Sequence, residues 1–151
     1  MAVNVRFNGG DKWTAEMRKI AGRLGANPYV RVGFPSGATY DDGTSLPLVA
    51  ALNEFGAPSR GQPPRPFMRN TIAKHRKDWP GMAAKLLKDN GYDAKKALAL
   101  IGEEIKGEMQ DEIHHGSFPK LADSTVARKG HATPLIDTGF MWQSITVEVH
   151  D

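Results

Sequence analysis

A chain of 151 residues and 16.5 kDa has the length of one domain and can bury a real core without covalent staples. Its 40% hydrophobic and 25% charged residues are a globular balance, and the lack of any cysteine excludes disulfide frameworks, thiol catalysis and Cys-based zinc sites. The net charge of +3 is mild but uneven: residues 57–77 hold Arg60, Arg65, Arg69, Lys74, Arg76 and Lys77 with no acid among them.

The chain opens on a period-two alternation, Val3, Val5 and Phe7 against Asn4 and Arg6, which predicts a strand ended by Gly9-Gly10. Nothing there has the basic-then-apolar order of a signal peptide, so the expected compartment of synthesis is the cell interior. Asp11 is expected to cap a helix whose apolar residues Trp13, Met17, Ile20 and Leu24 return at helical period, with Gly25 as its stop. Tyr29, Val30 and Val32 predict a second strand closed by Gly33. Residues 35–46 then read as a flexible exposed loop. Ser45 and Pro47 open a short helix carrying Leu48, Val49, Leu52 and Phe55 to Gly56. Its run Leu48-Val49-Ala50-Ala51-Leu52 is far too short to cross a membrane.

Four prolines between 57 and 66 predict an extended arm, because proline fixes φ and lacks a donor. A helix is expected from Pro66 to about Trp79, broken at Pro80, which suits the first turn of the next helix with Met82, Leu86 and Leu87 inward. Asp93 caps the longest helix, whose seam is Leu98, Ile101, Ile105, Met109 and Ile113, ending at Gly116. Residues 117–138 read as a second long loop with at most one turn, capped by Asp123 or Ser124. Ile145, Val147 and Val149 alternate in a last strand. The order predicts an α+β fold: a small, mostly antiparallel sheet packed with two to four helices.

The string Leu135-Ile136-Asp137-Thr138-Gly139 matches the active-site signature of aspartic proteases, in which two carboxylates share a proton. Only twelve residues follow it, and the middle of the chain reads helical rather than β, so Asp137 or Thr138 is read as the cap of a turn through Phe140, Met141 and Trp142. His114 and His115 end a helix, where cations are favoured anyway, and no His-Glu-x-x-His string or glycine-rich nucleotide cradle occurs. No catalytic residue, cofactor or metal is therefore expected. The basic block could touch phosphates, or be balanced by the acidic run Glu103, Glu104, Glu108, Asp111 and Glu112. Long loops with apolar residues (Tyr40 and Leu46 in one, Phe118, Leu121 and Val126 in the other) are of the kind that orders against a partner, so both are expected to be mobile in a free monomer.

Three strings taken together are similar to a bacteriophage family, the tail-completion or head-to-tail joining proteins of long-tailed phages. They are Val49-Ala50-Ala51-Leu52-Asn53-Glu54-Phe55-Gly56 followed by Pro64-Arg65-Pro66-Phe67-Met68-Arg69; the helix from Ala97-Leu98-Ala99-Leu100-Ile101-Gly102-Glu103; and Leu121 to Gly130 running into Pro134-Leu135-Ile136-Asp137-Thr138-Gly139 and Ser144-Ile145-Thr146-Val147. The resemblance implies a non-enzymatic structural virion protein of the neck. It also implies a homo-oligomeric ring, leaning to a hexamer, that meets the head connector or stopper and the tail tube while DNA passes without sequence-specific binding or any membrane. A tail terminator or minor tail protein is the alternative within the family, and a basic DNA-binding accessory module the alternative outside it. The expected interface residues are Tyr40, Leu46, Arg65, Phe67, Arg69, Phe118, Leu121, Val126, Arg128 and Lys129, with Asp137 as helix cap.

Overall fold

A computed structural model describes residues 10–25 and 27–150, so the strand expected over Val3–Phe7 lies outside the described residues. Seven helices and two strands follow in the order α1 (Gly10–Leu24), β1 (Tyr29–Gly33), α2 (Leu46–Phe55), α3 (Phe67–His75), α4 (Trp79–Asp89), α5 (Ala94–His115), α6 (Asp123–Lys129), α7 (Phe140–Gln143) and β2 (Thr146–His150). The fold is α+β. The strands pair antiparallel, with Tyr29 opposite His150 and Gly33 opposite Thr146.

Helix α5 is the axis of the molecule, because it is the one element long enough to serve two layers. Asp93 caps it through a 3.0 Å bond from the Lys96 N–H. Its first half lies on the sheet at Gly102, where a Cβ would collide with Val147 and come within 2.8 Å of Val30. Its second half enters the main core, where Met109 and Ile113 meet Leu46, Ala50, Phe67, Met141 and Ile145. Burying side chains of this size stabilises by about 1.5–3 kcal/mol each. The predicted seam holds with one refinement: Ile101, Met109 and Ile113 are buried, while Leu98 and Ile105 are half-covered.

Several boundaries differ from the sequence reading. Helix α1 starts at Gly10, so Asp11 sits inside its first turn rather than at the cap, still on the side the helix dipole favours. Its apolar stripe is not core: Trp13 is 68% and Met17 45% exposed. Loop 35–46 is tied rather than loose, with Tyr40 N–H to Thr44 O and Leu46 N–H to Ala38 O both at 2.9 Å. The proline arm 57–66 is not extended throughout, because Pro58–Arg60 forms a 3₁₀ turn and left-handed Gly61 returns the chain to pair Ala57 with Gln62. A fixed φ near −65° suits such a turn as well as it suits an extended chain. The two helices expected on either side of Pro80 are α3 and α4, but α3 ends at His75 and Trp79 opens α4, with Pro80 in its first turn as expected. Segment 117–138 contains α6, two turns of helix whose N-cap is Ala122 and not Asp123 or Ser124.

Candidate functional site

The asparagine–glutamate–phenylalanine–glycine string ends α2, and its chemistry is internal. Pro47 and the Ser45 hydroxyl, which accepts from Leu48 N–H at 3.4 Å, start α2 so that Leu46, Ala50 and Glu54 share its inward face. The buried Glu54 carboxylate then receives Met68 N–H at 2.9 Å, Arg69 N–H at 3.1 Å and Arg69 Nε at 2.8 Å. It thus supplies from another helix the anion that the free N–H groups at the start of α3 require. The Arg69 guanidinium also donates to Glu54 O at 2.7 Å and lies 5.1 Å from the centre of the Phe55 ring. Gly56 makes the return possible: at φ 78° it is left-handed, and a Cβ would stand 2.8 Å from Pro64 N.

Arg65 is held the same way. It is 6% exposed, its Nε and NH2 donate to the carbonyls of Pro119 and Lys120 at 3.2 and 3.4 Å, and burial lowers its pKa. Three of the six cations in the basic block are therefore engaged within the chain: Arg65 on carbonyls, Arg69 on Glu54 and Lys74 on the buried Glu112, which also takes Asn70 Nδ2 at 3.0 Å. His75 and Trp79 reach Glu108 at 3.1 and 2.7 Å. Glu108 and Glu112 of the acidic run thus balance the basic helix across the α3–α5 seam, whereas Glu103, Glu104 and Asp111 face solvent.

These ties hold three segments around one open cleft of about 840 Å³, formed by loop 35–46, the proline arm and the stretch from Lys120 to Met141. Tyr40, Arg65, Leu121, Arg128 and Lys129, five of the expected interface residues, all line it. Asp137 lines it too and does not cap α7. Left-handed Gly139 is the N-cap there, and the Thr138 hydroxyl, one residue before it, takes the Phe140 N–H at 3.3 Å. The other expected residues lie elsewhere. Leu46 and Phe67 are fully buried core of this chain, because the start of α2 and the start of α3 both aim inward. Phe118 and Val126 are half-buried, with Phe118 against the core, and Arg69 belongs to the α2–α3 tie.

The cleft is polar as well as apolar. Burial lowers the Lys129 pKa, Asp137 opposes that shift, and Arg65 and Arg128 add to it; the Lys129 ammonium donates to Thr133 O at 3.2 Å. Burial first, then the charges of Asp137 and Asp42, raise the Tyr40 pKa. Asp42 is held ionised by the Thr44 N–H at 2.9 Å, which lowers its pKa. In the sequence, Glu54 and Leu135 stand out only as members of their strings, without a role, and Gln62 does not stand out at all. Glu54 and Gln62 are polar residues that act through space, Gln62 by donating to Leu52 O and Asn53 Oδ1 at 3.3 and 3.1 Å. Leu135 reaches the core only through an unusual φ of 61°, for which a leucine carries no signal.

Among the described residues no group of histidine, aspartate and glutamate is gathered to hold a metal ion, and no helix is long and apolar enough to cross a membrane. No family model, curated protein or solved structure matches the chain.

Proposed function

We propose that this chain is a non-enzymatic structural subunit of a phage virion neck, one copy of a ring that completes the tail and joins it to the head connector around the DNA channel. The observation that carries this reading is the convergence of three loop segments on one open cleft with an apolar floor (Leu121, Leu135, Met141) and a cationic rim (Arg60, Arg128, Lys129). An open cleft of mixed polar and apolar lining suits a chain segment from a neighbouring subunit. The motif strings support the same reading, since Glu54, Gly56, Arg65 and Arg69 are spent on holding the loops in place. A DNA-binding module is less well supported, because half of the basic block is already paired inside the chain.

The test is microscopy and complementation. Negative-stain images of the purified protein should contain closed rings, and a phage supplied only with Leu121→Asp, Arg128→Glu protein should yield full heads and separate tails. Normal infectious particles from that variant would sink the reading. A salt-sensitive mobility shift with duplex DNA, abolished at Arg60, Arg76 and Lys77, would replace it with the DNA module.

A further inference from the structure

Three charged side chains are buried among the described residues: Glu54, Glu112 and Arg65. Each of the two acids is met by a cation and by N–H groups, Glu54 by Arg69 and Met68 N–H, Glu112 by Lys74 and the Asn70 amide. Arg65 is hydrogen-bonded but not ion-paired. Its Nε and NH2 rest on the Pro119 and Lys120 carbonyls, its NH1 makes no hydrogen bond, and no carboxylate of the described residues stands at ion-pair distance. Its pKa falls through burial, with no carboxylate to hold it up. Carbonyl dipoles satisfy donors, yet a whole positive charge taken out of water stays costly until an opposite charge joins it.

Arg65 lines the cleft, together with Arg60, Lys120, Arg128 and Lys129 and against two acids, Asp42 and Asp137. Neither acid is paired with it: Asp42 takes the Thr44 N–H at 2.9 Å, and the charge of Asp137 acts on Lys129 and Tyr40. Cations therefore exceed acids by five to two, around the apolar floor of Leu121, Leu135 and Met141. A nucleic-acid strand is tracked by a continuous positive groove, and here two carboxylates and that floor interrupt the track. A lone buried guanidinium beside apolar side chains is matched instead by a carboxylate with apolar neighbours. The planar fork of arginine takes a carboxylate through two parallel hydrogen bonds.

We propose that the cleft receives an extended segment of a partner protein carrying a glutamate or aspartate between apolar residues, its carboxylate closing on the Arg65 guanidinium and its apolar side chains covering Leu121, Leu135 and Met141. The exposed cations Arg60 and Arg128 act at the rim, where charge mainly speeds the encounter with an acidic segment. Arg65 sets the specificity, because a segment with an amide in place of the acid would seal the guanidinium away from water without neutralising it. The proposal rests on the reading of the cleft as a subunit contact and adds the chemistry of the segment that fills it.

Peptide selection tests it on the intact chain. Peptides selected from a random library on immobilised wild-type protein should be enriched in glutamate or aspartate flanked by apolar residues. The tightest of them, fluorescein-labelled and followed by polarisation, should lose at least tenfold in affinity when its acid is replaced by the amide. Arg65→Lys protein, which keeps the charge and loses the fork, should bind it at least fivefold more weakly. Arg60→Glu, Arg128→Glu protein, altered only at exposed side chains, should bind it at least tenfold more weakly, mainly through slower association. Selection without acidic enrichment, indifference to the amide, or unchanged affinity in the Arg60, Arg128 variant would each overturn the proposal. Displacement of the peptide by equimolar inorganic phosphate would make the cleft a free-anion site, and displacement by duplex DNA would give it to nucleic acid; either result overturns the proposal as well. Rings in the microscope without acidic selection would sink this proposal alone, whereas acidic selection by a protein that forms no rings would sink the ring reading and keep the chemistry of the cleft.

Discussion

Helices α1 and α5 follow the same sequence rule and meet opposite fates. Both carry apolar residues at steps of three and four, yet Ile101, Met109 and Ile113 of α5 are at most 4% exposed while Trp13 of α1 is 68% exposed. Periodicity reports that a helix has an apolar face. What covers that face is decided by the elements the chain can bring to it: α5 has a sheet, two helices and α7 around it, while the end of α1 is fixed by Arg23 on Gly91 O. The contrast locates stability in one helix and unspent surface in the other.

The comparison can be broken most directly at its buried end. Ile113→Ala removes a side chain 1% exposed at the centre of the main core, so urea unfolding should show a loss of about 2–5 kcal/mol. A loss below about half a kcal/mol would place that face at the surface and erase the contrast. Gly102→Ala inserts a methyl group where Val147 and Val30 already sit, and a destabilisation of about 1–3 kcal/mol should appear in the same assay. Asp93→Ala should lower stability by about 1 kcal/mol through the lost cap, with Asp93→Asn retaining most of it. At the exposed end, Trp13→Ala should change the unfolding free energy of dilute protein by no more than about 0.5 kcal/mol. A large loss from Trp13→Ala in dilute protein would show that α1 is covered by its own chain.

The cleft was legible in part, and the boundary of legibility is physical. Tyr40, Arg65 and Leu121 stand in segments rich in glycine, proline and polar residues, so their place in loops follows from local chemistry, whereas Arg128 and Lys129, in a stretch whose composition reads as loop, lie in the last turn of α6. Leu46 and Phe67 were read with them and proved to be core. Both sit at the first residue of a helix beside a loop, where composition says nothing about which way a side chain aims. Asp137 and Thr138 are equally good caps by residue type, and only the left-handed turn at Gly139 selects the hydroxyl.

Local rules settled the elements themselves: Ser45 and Asp93 as caps, Pro80 in a first turn, Gly25, Gly56 and Gly91 at helix ends, and the alternation of both described strands. Each depends on dihedral preference or on hydrogen bonds spanning a few residues, and such forces are written in neighbouring letters. Tertiary structure alone decided the partners across long separations, Glu54 with the start of α3, Arg65 with the 119–120 carbonyls, Lys74 with Glu112, and Leu135 with the core. A buried charge is stable only where opposite charge or N–H groups converge on it, and that convergence exists only once the helices have packed.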